Sequence, residues 1–333
     1  MPYGGANMNV EIKTQTQPTM YFIGVSTGSS SIMKVFPRWM EVLGLANTRL
    51  EGVDFRPHAE PAAYRRAVLQ IKHDPLSLGA LVTTHKINLL EASRDLFEYL
   101  DENARICGEV SCICKHDGRL EGYALDPITA GLSLDSMLSE NYFGRTGGEV
   151  LCLGAGGATT AIVLHFMRKP HPGDRPRRIV VVNRSPGRLQ TLEEMVRSQG
   201  TDIRFEYHCH TDPQRNDELM GALPPYSLVI NATGMGKDLP GSPITDAGVF
   251  PERGIAWELN YRGELKFLHQ ALAQRESRQL MVEDGWLYFL HGWTKTISNV
   301  LKVEIGDAMF QKLSEIAAQV STPALPPRRA TAV

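Results

Sequence analysis

A glycine-rich turn joins an apolar run at residues 149–153 to a helical pattern that begins near Thr159. Its residues are Gly154, Ala155, Gly156, Gly157 and Ala158. Such a turn lets backbone N–H groups approach a pyrophosphate, and the helix N-terminus that follows adds partial positive charge. Because Thr159 replaces the third glycine of the usual fingerprint, a tight connection without a ligand is an equally good interpretation of the turn alone.

The end of the next apolar run favours the dinucleotide interpretation. This run, near residues 178–182, leads into Asn183, Arg184 and Ser185, where an NAD enzyme normally carries an acid for the ribose hydroxyl. An acid would repel a 2′-phosphate, whereas these side chains offer hydrogen-bond donors and a guanidinium. A solvated surface arginine is the alternative for Arg184 by itself, but its place after the second strand predicts NADP as the cofactor.

A third polar turn follows an apolar run near residues 227–230. Turns at the carboxyl ends of strands line the ligand crevice of open α/β sheets. The turn consists of Asn231, Ala232, Thr233, Gly234 and Met235. We expect it to lie beside the bound cofactor.

An α/β architecture is needed to position these turns, and the apolar pattern supplies one. Strands are predicted near 20–25, 49–54, 79–83, 203–208, 255–259 and 279–282, with helices near 33–43, 61–73 and 127–139. Two strand-like stretches within residues 107–125 flank Asp117 and Gly118, a pair typical of a tight hairpin.

Composition restricts the class of partner. The chain has 333 residues, of which 42% are hydrophobic and 22% charged, and its formal net charge is −2. These values favour two globular domains and a small-molecule partner over nucleic acid or a membrane surface. Without an apolar run of membrane-spanning length or a signal peptide, we expect a cytoplasmic protein. Its five cysteines indicate reduced thiols, and residues 1–17 and 321–333 are predicted to be disordered.

Taken together, the three turns resemble those of the shikimate dehydrogenase family. The likeness extends over roughly residues 20–305, and includes Tyr261 in an acid-x-x-Tyr pattern and Gly285 before the last long helix. It implies a substrate domain of residues 18–126 and 284–320, with a Rossmann-like NADP-binding domain of residues 127–283 inserted, and Gly285 near the cofactor.

The resemblance also implies a catalytic pair, Lys86 and Asp126. Carbonyl reduction needs a proton supplied as hydride arrives, and alcohol oxidation needs one removed; an amine of lowered pKa can do both. From the residues alone, Lys86 is more commonly a solvated surface lysine, and Asp126 is more commonly the N-cap of the helix that begins at Pro127. The resemblance favours the catalytic interpretation of both residues instead. His85 could assist as an acid or base, although a core or surface histidine is the commoner case.

The sequence departs from the family where shikimate is held. The first serine of a Ser-x-Ser pair is kept as Ser30, but the second falls at Ile32, a threonine at Val82, an asparagine at Ser111 and a glutamine near Gly292. Each missing partner leaves a buried shikimate oxygen without a hydrogen bond, at a cost of about 1 to 3 kcal/mol. We therefore expect a less hydroxylated or more apolar ligand.

The leading hypothesis is an NADP(H)-dependent dehydrogenase or reductase, monomeric or homodimeric, acting on a small hydroxy or keto substrate other than shikimate. Tyr261 and His291 remain available to position that substrate. A true shikimate or quinate dehydrogenase and a catalytically silent NADP(H)-binding regulator are the alternatives. No metal is predicted, because neither His208-Cys209-His210 nor Cys112-x-Cys114 has a second ligand pair at zinc spacing.

Overall fold

The chain divides into two compact units. A computed structural model describes residues 13–57, 59–237, 239–320 and 324–325. The first unit runs to Leu125 and resumes at Trp293, and the second extends from Asp126 to Gly292. The return to the first unit thus falls inside a helix rather than at residue 284. Within the described ranges, no helix is both long and apolar enough to cross a membrane.

The first unit contains a six-stranded mixed sheet. Its strands are β1 (Thr19–Gly24), β2 (Arg49–Asp54), β3 (Ser77–Val82), β4 (Tyr99–Leu100), β5 (Cys112–His116) and β6 (Arg119–Tyr123), in the order β2-β1-β3-β5-β6-β4. Its helices are α1 (Ile32–Val42), α2 (Pro61–His73), α3 (Lys86–Ser93), α4 (Glu102–Cys107) and α12 (Asp307–Val320). β2, β1 and β3 are parallel, whereas β5 is antiparallel to both neighbours.

Apolar burial explains why these segments form the first unit. All six residues of β1 are buried, as expected for a central parallel strand covered on both faces. Trp39 of α1 is fully buried and donates its indole N–H to the Leu313 carbonyl oxygen of α12 at 2.8 Å. The turn between β5 and β6 uses Asp117 and Gly118, both with positive φ, which confirms the predicted hairpin.

The second unit contains a six-stranded parallel sheet. Its strands are β7 (Val150–Leu153), β8 (Arg178–Asn183), β9 (Arg204–Cys209), β10 (Leu228–Asn231), β11 (Ile255–Glu258) and β12 (Met281–Glu283), in the order β12-β11-β10-β7-β8-β9. Its helices are α5 (Asp126–Met137), α6 (Tyr142–Thr146), α7 (Gly157–Arg168), α8 (Pro186–Gln199), α9 (Pro213–Gly221) and α10 (Lys266–Ala273), and α11 (Trp286–Leu301) begins in it. Strand order reverses between β7 and β10, which is where such sheets bind ligands.

Two short segments differ from the predicted disorder. Gln15 is buried, and its backbone N–H donates to the Asp74 carboxylate at 2.7 Å, so residues 13–17 are held against the first unit. In the same way, the Leu325 N–H donates to Asp284 at 3.1 Å. A buried acid satisfies each backbone group. The remaining predicted disordered residues, 1–12, 321–323 and 326–333, lie outside the described part of the chain.

Candidate active site

The glycine turn after β7 depends on a backbone conformation that favours glycine. Gly154 has φ +112°, and a Cβ there would lie 2.7 Å from the Ala232 carbonyl oxygen after β10. Thr159 is fully buried and donates its hydroxyl to the Gly154 carbonyl oxygen at 2.7 Å. The residue at the third glycine position therefore ties α7 back to the turn, and the close contact joins the two central strands at their carboxyl ends.

The same turn leaves space for a phosphate group. Gly156 is the extended N-cap of α7, and no atom lies within 4 Å of the place where its Cβ would be. The first N–H groups of a helix have no partner inside it. A side chain at residue 156 would fill the space in front of them, so the residues present fit a dinucleotide pyrophosphate.

The end of β8 presents the predicted 2′-phosphate contacts. Asn183 donates its side-chain amide to the Ser185 carbonyl oxygen at 3.3 Å, Ser185 is the N-cap of α8, and Arg184 is exposed. Arg188, which the sequence analysis did not select, is also exposed in the first turn of α8. A cation at a helix N-terminus is unfavourable without an anion nearby. A second arginine in the first turn of α8 is therefore the sequence signal that could have identified Arg188 as a phosphate contact.

A buried polar network fixes the turn after β10. The Asn231 amide donates to Glu258 at 2.6 Å, while its oxygen accepts from the Thr233 hydroxyl at 2.6 Å. The Asn260 amide donates to the other Glu258 oxygen at 2.6 Å and to the Met235 carbonyl oxygen at 3.1 Å. Residues 231–235, including the half-buried Ala232 and Gly234, are therefore held in one conformation by two neighbouring strand ends.

Burial dominates the ionisation of Glu258. Its side chain is fully buried, and this raises its pKa from 4.5 to about 7 even though Asn260 and Asn231 donate hydrogen bonds that favour the charged form. The sequence showed the acid, but only its surroundings in the fold show that it titrates near neutral pH.

The start of α11 packs tightly against the end of β11. A side chain at Gly285 would collide with the Leu259 carbonyl oxygen, and Asp284 accepts from the Trp286 N–H at 2.9 Å. The Tyr261 and Trp286 rings both flank Phe289, with ring centroids 4.5 and 5.1 Å away. This places Gly285 and Tyr261 at one aromatic cluster.

His291 follows on the same helix. Burial lowers its pKa from 6.5 to about 4. Its imidazole is therefore neutral at pH 7 and offers hydrogen bonds without a positive charge.

In the first unit, Lys86 begins α3 directly after a constrained turn. Thr84 has φ +49°, an uncommon conformation for a β-branched residue. His85 is buried, and its Nε2 lies 3.2 Å from the Gly24 carbonyl oxygen and 3.1 Å from that of Phe55. These acceptors assign the proton to Nε2, leaving Nδ1 to accept from the Tyr64 hydroxyl at 2.9 Å. His85 is therefore a core residue that anchors the turn.

A carboxylate that the sequence analysis did not select lies near Lys86. Glu109 Oε1 is 3.9 Å from Lys86 Nζ, with 3% of the glutamate side chain and 16% of the lysine side chain exposed. The two residues are distant in sequence, and the local sequence pattern around Glu109 does not predict its contact with Lys86. Asp126, the predicted partner of Lys86, is half-buried and is the first residue of α5.

The predicted substrate residues of the first unit differ in what they can offer. Ser30 is buried after a short 3-10 turn, and Ile32 and Val82 are fully buried, so direct ligand contact by either apolar side chain would require movement. Ser111 accepts from the Leu125 N–H at 2.8 Å. One acceptor site of its hydroxyl is thus already used inside the protein.

The histidine pair and the cysteine pair for which the sequence analysis predicts no metal lie in different parts of the fold. His208 and His210 have ring centroids 6.5 Å apart at the end of β9, and the Cys112 and Cys114 sulfurs lie 3.5 Å apart in the core. Among the described residues, no three His, Cys, Asp or Glu side chains are grouped to hold a metal ion.

The parallel sheet, glycine turn and polar strand ends define a Rossmann-like class of dinucleotide-binding protein. A shikimate dehydrogenase (NADP(+)) from Symbiobacterium thermophilum is 31% identical over 239 residues, which cover 69% of this chain and 72% of the relative. The chain belongs to the shikimate dehydrogenase family. A second shikimate dehydrogenase (NADP(+)), from Methylobacterium radiotolerans, is 27% identical over 82% of this chain and 88% of its own length. No protein-family model matches the chain.

Solved structures show the same fold. Shikimate 5-dehydrogenase from Listeria monocytogenes, in complex with shikimate and NAD, has a TM-score of 0.67 at 18% identity, covering 90% of this chain and 96% of that one. The 5-ketofructose reductase of Gluconobacter sp. strain CHM43 has a TM-score of 0.62 at 18% identity, covering 90% and 98%. The predicted family, two-domain α/β fold and oxidoreductase class are confirmed, whereas the predicted roles of individual residues stay predictions.

Proposed function

We propose that the chain is an NADP(H)-dependent dehydrogenase or reductase that transfers hydride between NADP and a small hydroxy or keto substrate other than shikimate. The observation that carries this proposal is the turn at residues 83–86, where a buried histidine and a left-handed residue fix the backbone from which Lys86 projects at the start of α3. A constrained amine beside a strand end, in a family of oxidoreductases, suits acid–base chemistry.

Each proposed role follows from the side chain concerned. When bound, NADPH supplies hydride to a carbonyl carbon. Lys86 donates a proton to the carbonyl oxygen, and Asp126 orients the amine and the substrate. The glycine turn binds the pyrophosphate, with Asn183, Arg184 and Ser185 on the 2′-phosphate.

The state of the predicted substrate residues supports a substrate other than shikimate. Ile32 and Val82 replace hydrogen-bonding side chains and expose no surface. The Ser111 hydroxyl is engaged by the Leu125 N–H. His291 is neutral at pH 7, so it suits a carbonyl or hydroxyl better than it suits a carboxylate, unless that carboxylate itself raises the pKa of the imidazole.

Shikimate or quinate oxidation is the second candidate, and the names of the two relatives above favour shikimate. The test is NADP⁺ reduction with shikimate, quinate and a panel of cyclic hydroxy acids and polyols, together with NADPH oxidation in the presence of the corresponding ketones. Robust turnover of shikimate would refute the substrate proposal. NADPH binding without turnover of any compound would favour a silent regulator.

The role of Lys86 is tested by Lys86→Met, with Lys34→Met on the exposed face of α1 as the matched control. We expect the first variant to lose at least ~1,000-fold in turnover, within the range of acid–base contributions, and to bind NADPH as the wild type does. The control should behave as wild type. Full activity of Lys86→Met would remove the amine from the mechanism.

A further inference from the structure

The contact between Lys86 and Glu109 is built into the backbone. Gly108, with φ +63°, ends α4 in a left-handed turn and brings residue 109 toward α3. The Val110 N–H then donates to the Lys86 carbonyl oxygen at 3.4 Å, and the Val110 side chain is fully buried in the core. The Gly108 turn and this main-chain contact bring the backbones of residues 86 and 109–110 together, and the charged ends of Lys86 and Glu109 lie 3.9 Å apart.

Burial makes this contact different from a surface ion pair. Exposed lysine–glutamate pairs are screened by water and contribute little. Here only 3% of the Glu109 side chain is exposed, so its ionised form depends on compensation by groups of the protein, and the Lys86 ammonium 3.9 Å away supplies such a charge. Neutralising either partner would leave the other charge poorly compensated.

The helix dipole at the start of α3 opposes the charged form of Lys86 less strongly than Glu109 favours it. Lys86 is the first residue of α3, and the positive end of a helix disfavours an ammonium. At an effective dielectric constant of about 20, a carboxylate 3.9 Å away acts roughly four times more strongly than a helix terminus. Attraction by Glu109 therefore outweighs the helix.

His85, which precedes Lys86 in the chain, and Asp101 have partners of their own. The His85 ring is turned toward Tyr64 and the Gly24 and Phe55 carbonyl oxygens. Asp101, at the start of α4, accepts from the Ala104 and Ala124 N–H groups at 2.7 and 3.1 Å. In addition to these, Asp126 is the carboxylate predicted to act on the amine from the start of α5.

We propose that Glu109 is a positioning residue that holds Lys86 as an ammonium, so that the free enzyme stands in the protonation state required for carbonyl reduction. This inference rests on the proposed function. It adds a second carboxylate to the predicted Lys–Asp pair, and it favours ketone reduction as the reaction for which the resting form is ready.

In the proposed reduction, Lys86 supplies the proton and Glu109 keeps its charge. Hydride from the reduced dinucleotide forms a C–H bond at the carbonyl carbon, and the carbonyl π pair moves to oxygen. That oxygen takes a proton from Lys86 Nζ, whose N–H bond breaks, while Glu109 stays ionised. The step would consume one reduced dinucleotide and one proton and leave an alcohol, because the neutral Lys86 amine takes up a solvent proton afterwards.

The first test measures the amine without any substrate. Reductive methylation of the whole chain with ¹³C-formaldehyde labels lysines, and Lys86→Arg identifies the Lys86 resonance by its loss. We expect the pKa of Lys86 to fall by at least about one pH unit in Glu109→Gln, less in Glu109→Asp, and not at all in Glu41→Gln, an exposed residue of α1. The same pKa in wild type and both Glu109 variants would overturn the proposal.

The second test follows reduction of whichever panel ketone is turned over. The alkaline break in kcat/KM should move to lower pH in Glu109→Gln, with partial return in Glu109→Asp and unchanged NADPH affinity. A break that does not move would refute the positioning role even if the pKa of Lys86 changed. No turnover of any panel compound, with the Glu109-dependent pKa difference still present, would refute the proposed function instead and leave the ion pair established.

Discussion

Glu258 makes the stability of the second unit depend on pH near neutrality. Its pKa rises from 4.5 to about 7 on folding, so the native state binds a proton more tightly than the unfolded chain does. The stabilisation is fully present below about pH 4.5 and is lost as the pH rises through about 7. Because a tenfold change in proton affinity is worth about 1.4 kcal/mol, the free energy of unfolding should fall by roughly 2 to 3 kcal/mol between about pH 5 and pH 8.

Urea denaturation followed by circular dichroism and tryptophan fluorescence measures this change. Glu258→Gln cannot titrate, so its free energy of unfolding should vary less with pH than that of the wild type by the same 2 to 3 kcal/mol. Glu218→Gln, on the exposed face of α9, should keep the wild-type profile. Parallel profiles for wild type and Glu258→Gln would show that this carboxyl group does not titrate in the range and would refute the reasoning.

Three further predictions concern the cofactor turn, the 2′-phosphate and His291. Gly154→Ala should destabilise the protein by about 1 to 3 kcal/mol because of its φ, whereas Gly156→Ala should fold normally and still weaken NADPH binding, as denaturation and calorimetric titration would show. Arg184→Gln should reduce the preference for NADPH over NADH at least ~10-fold, while Arg197→Gln, exposed on α8, should not; equal ratios would contradict the assignment. His291 should stay neutral above about pH 5 in a histidine NMR titration, and the stability of its neutral form should be lost as the pH falls from 6.5 through about 4; protonation near 6.5 would contradict this.

The sequence predicts most of the sheet framework because its signals are local. Apolar runs such as residues 20–25 and 178–182 become buried parallel strands, and Asp117-Gly118 forms the hairpin turn. α3 was not predicted: it has eight residues and no side-chain cap at His85. Its start depends on the left-handed Thr84 and the anchored His85, which are tertiary effects.

In the candidate site, too, local features can be predicted from the sequence, whereas features that depend on tertiary contacts cannot. The glycine turn and the Asn183–Ser185 segment are visible because their spacing follows from a strand and the helix after it. Glu109 is different: its meaning comes from a contact 23 positions away along the chain from Lys86, fixed by Gly108 and Val110. Periodicity carries no information about such a contact, nor about the burial that changes the ionisation of Glu258.

The anchoring of His85 also bears on how new specificities arise in such a protein. The turn that carries Lys86, the proposed proton donor, is secured by Tyr64 and by main-chain oxygens of Gly24 and Phe55, none of which is among the predicted substrate residues. Ile32 supplies none of these hydrogen bonds, so we expect a replacement there to leave the turn that carries Lys86 in place. The proposed proton donor and the predicted substrate contact at Ile32 thus have separate supports, which would allow the substrate to change while the reaction is kept.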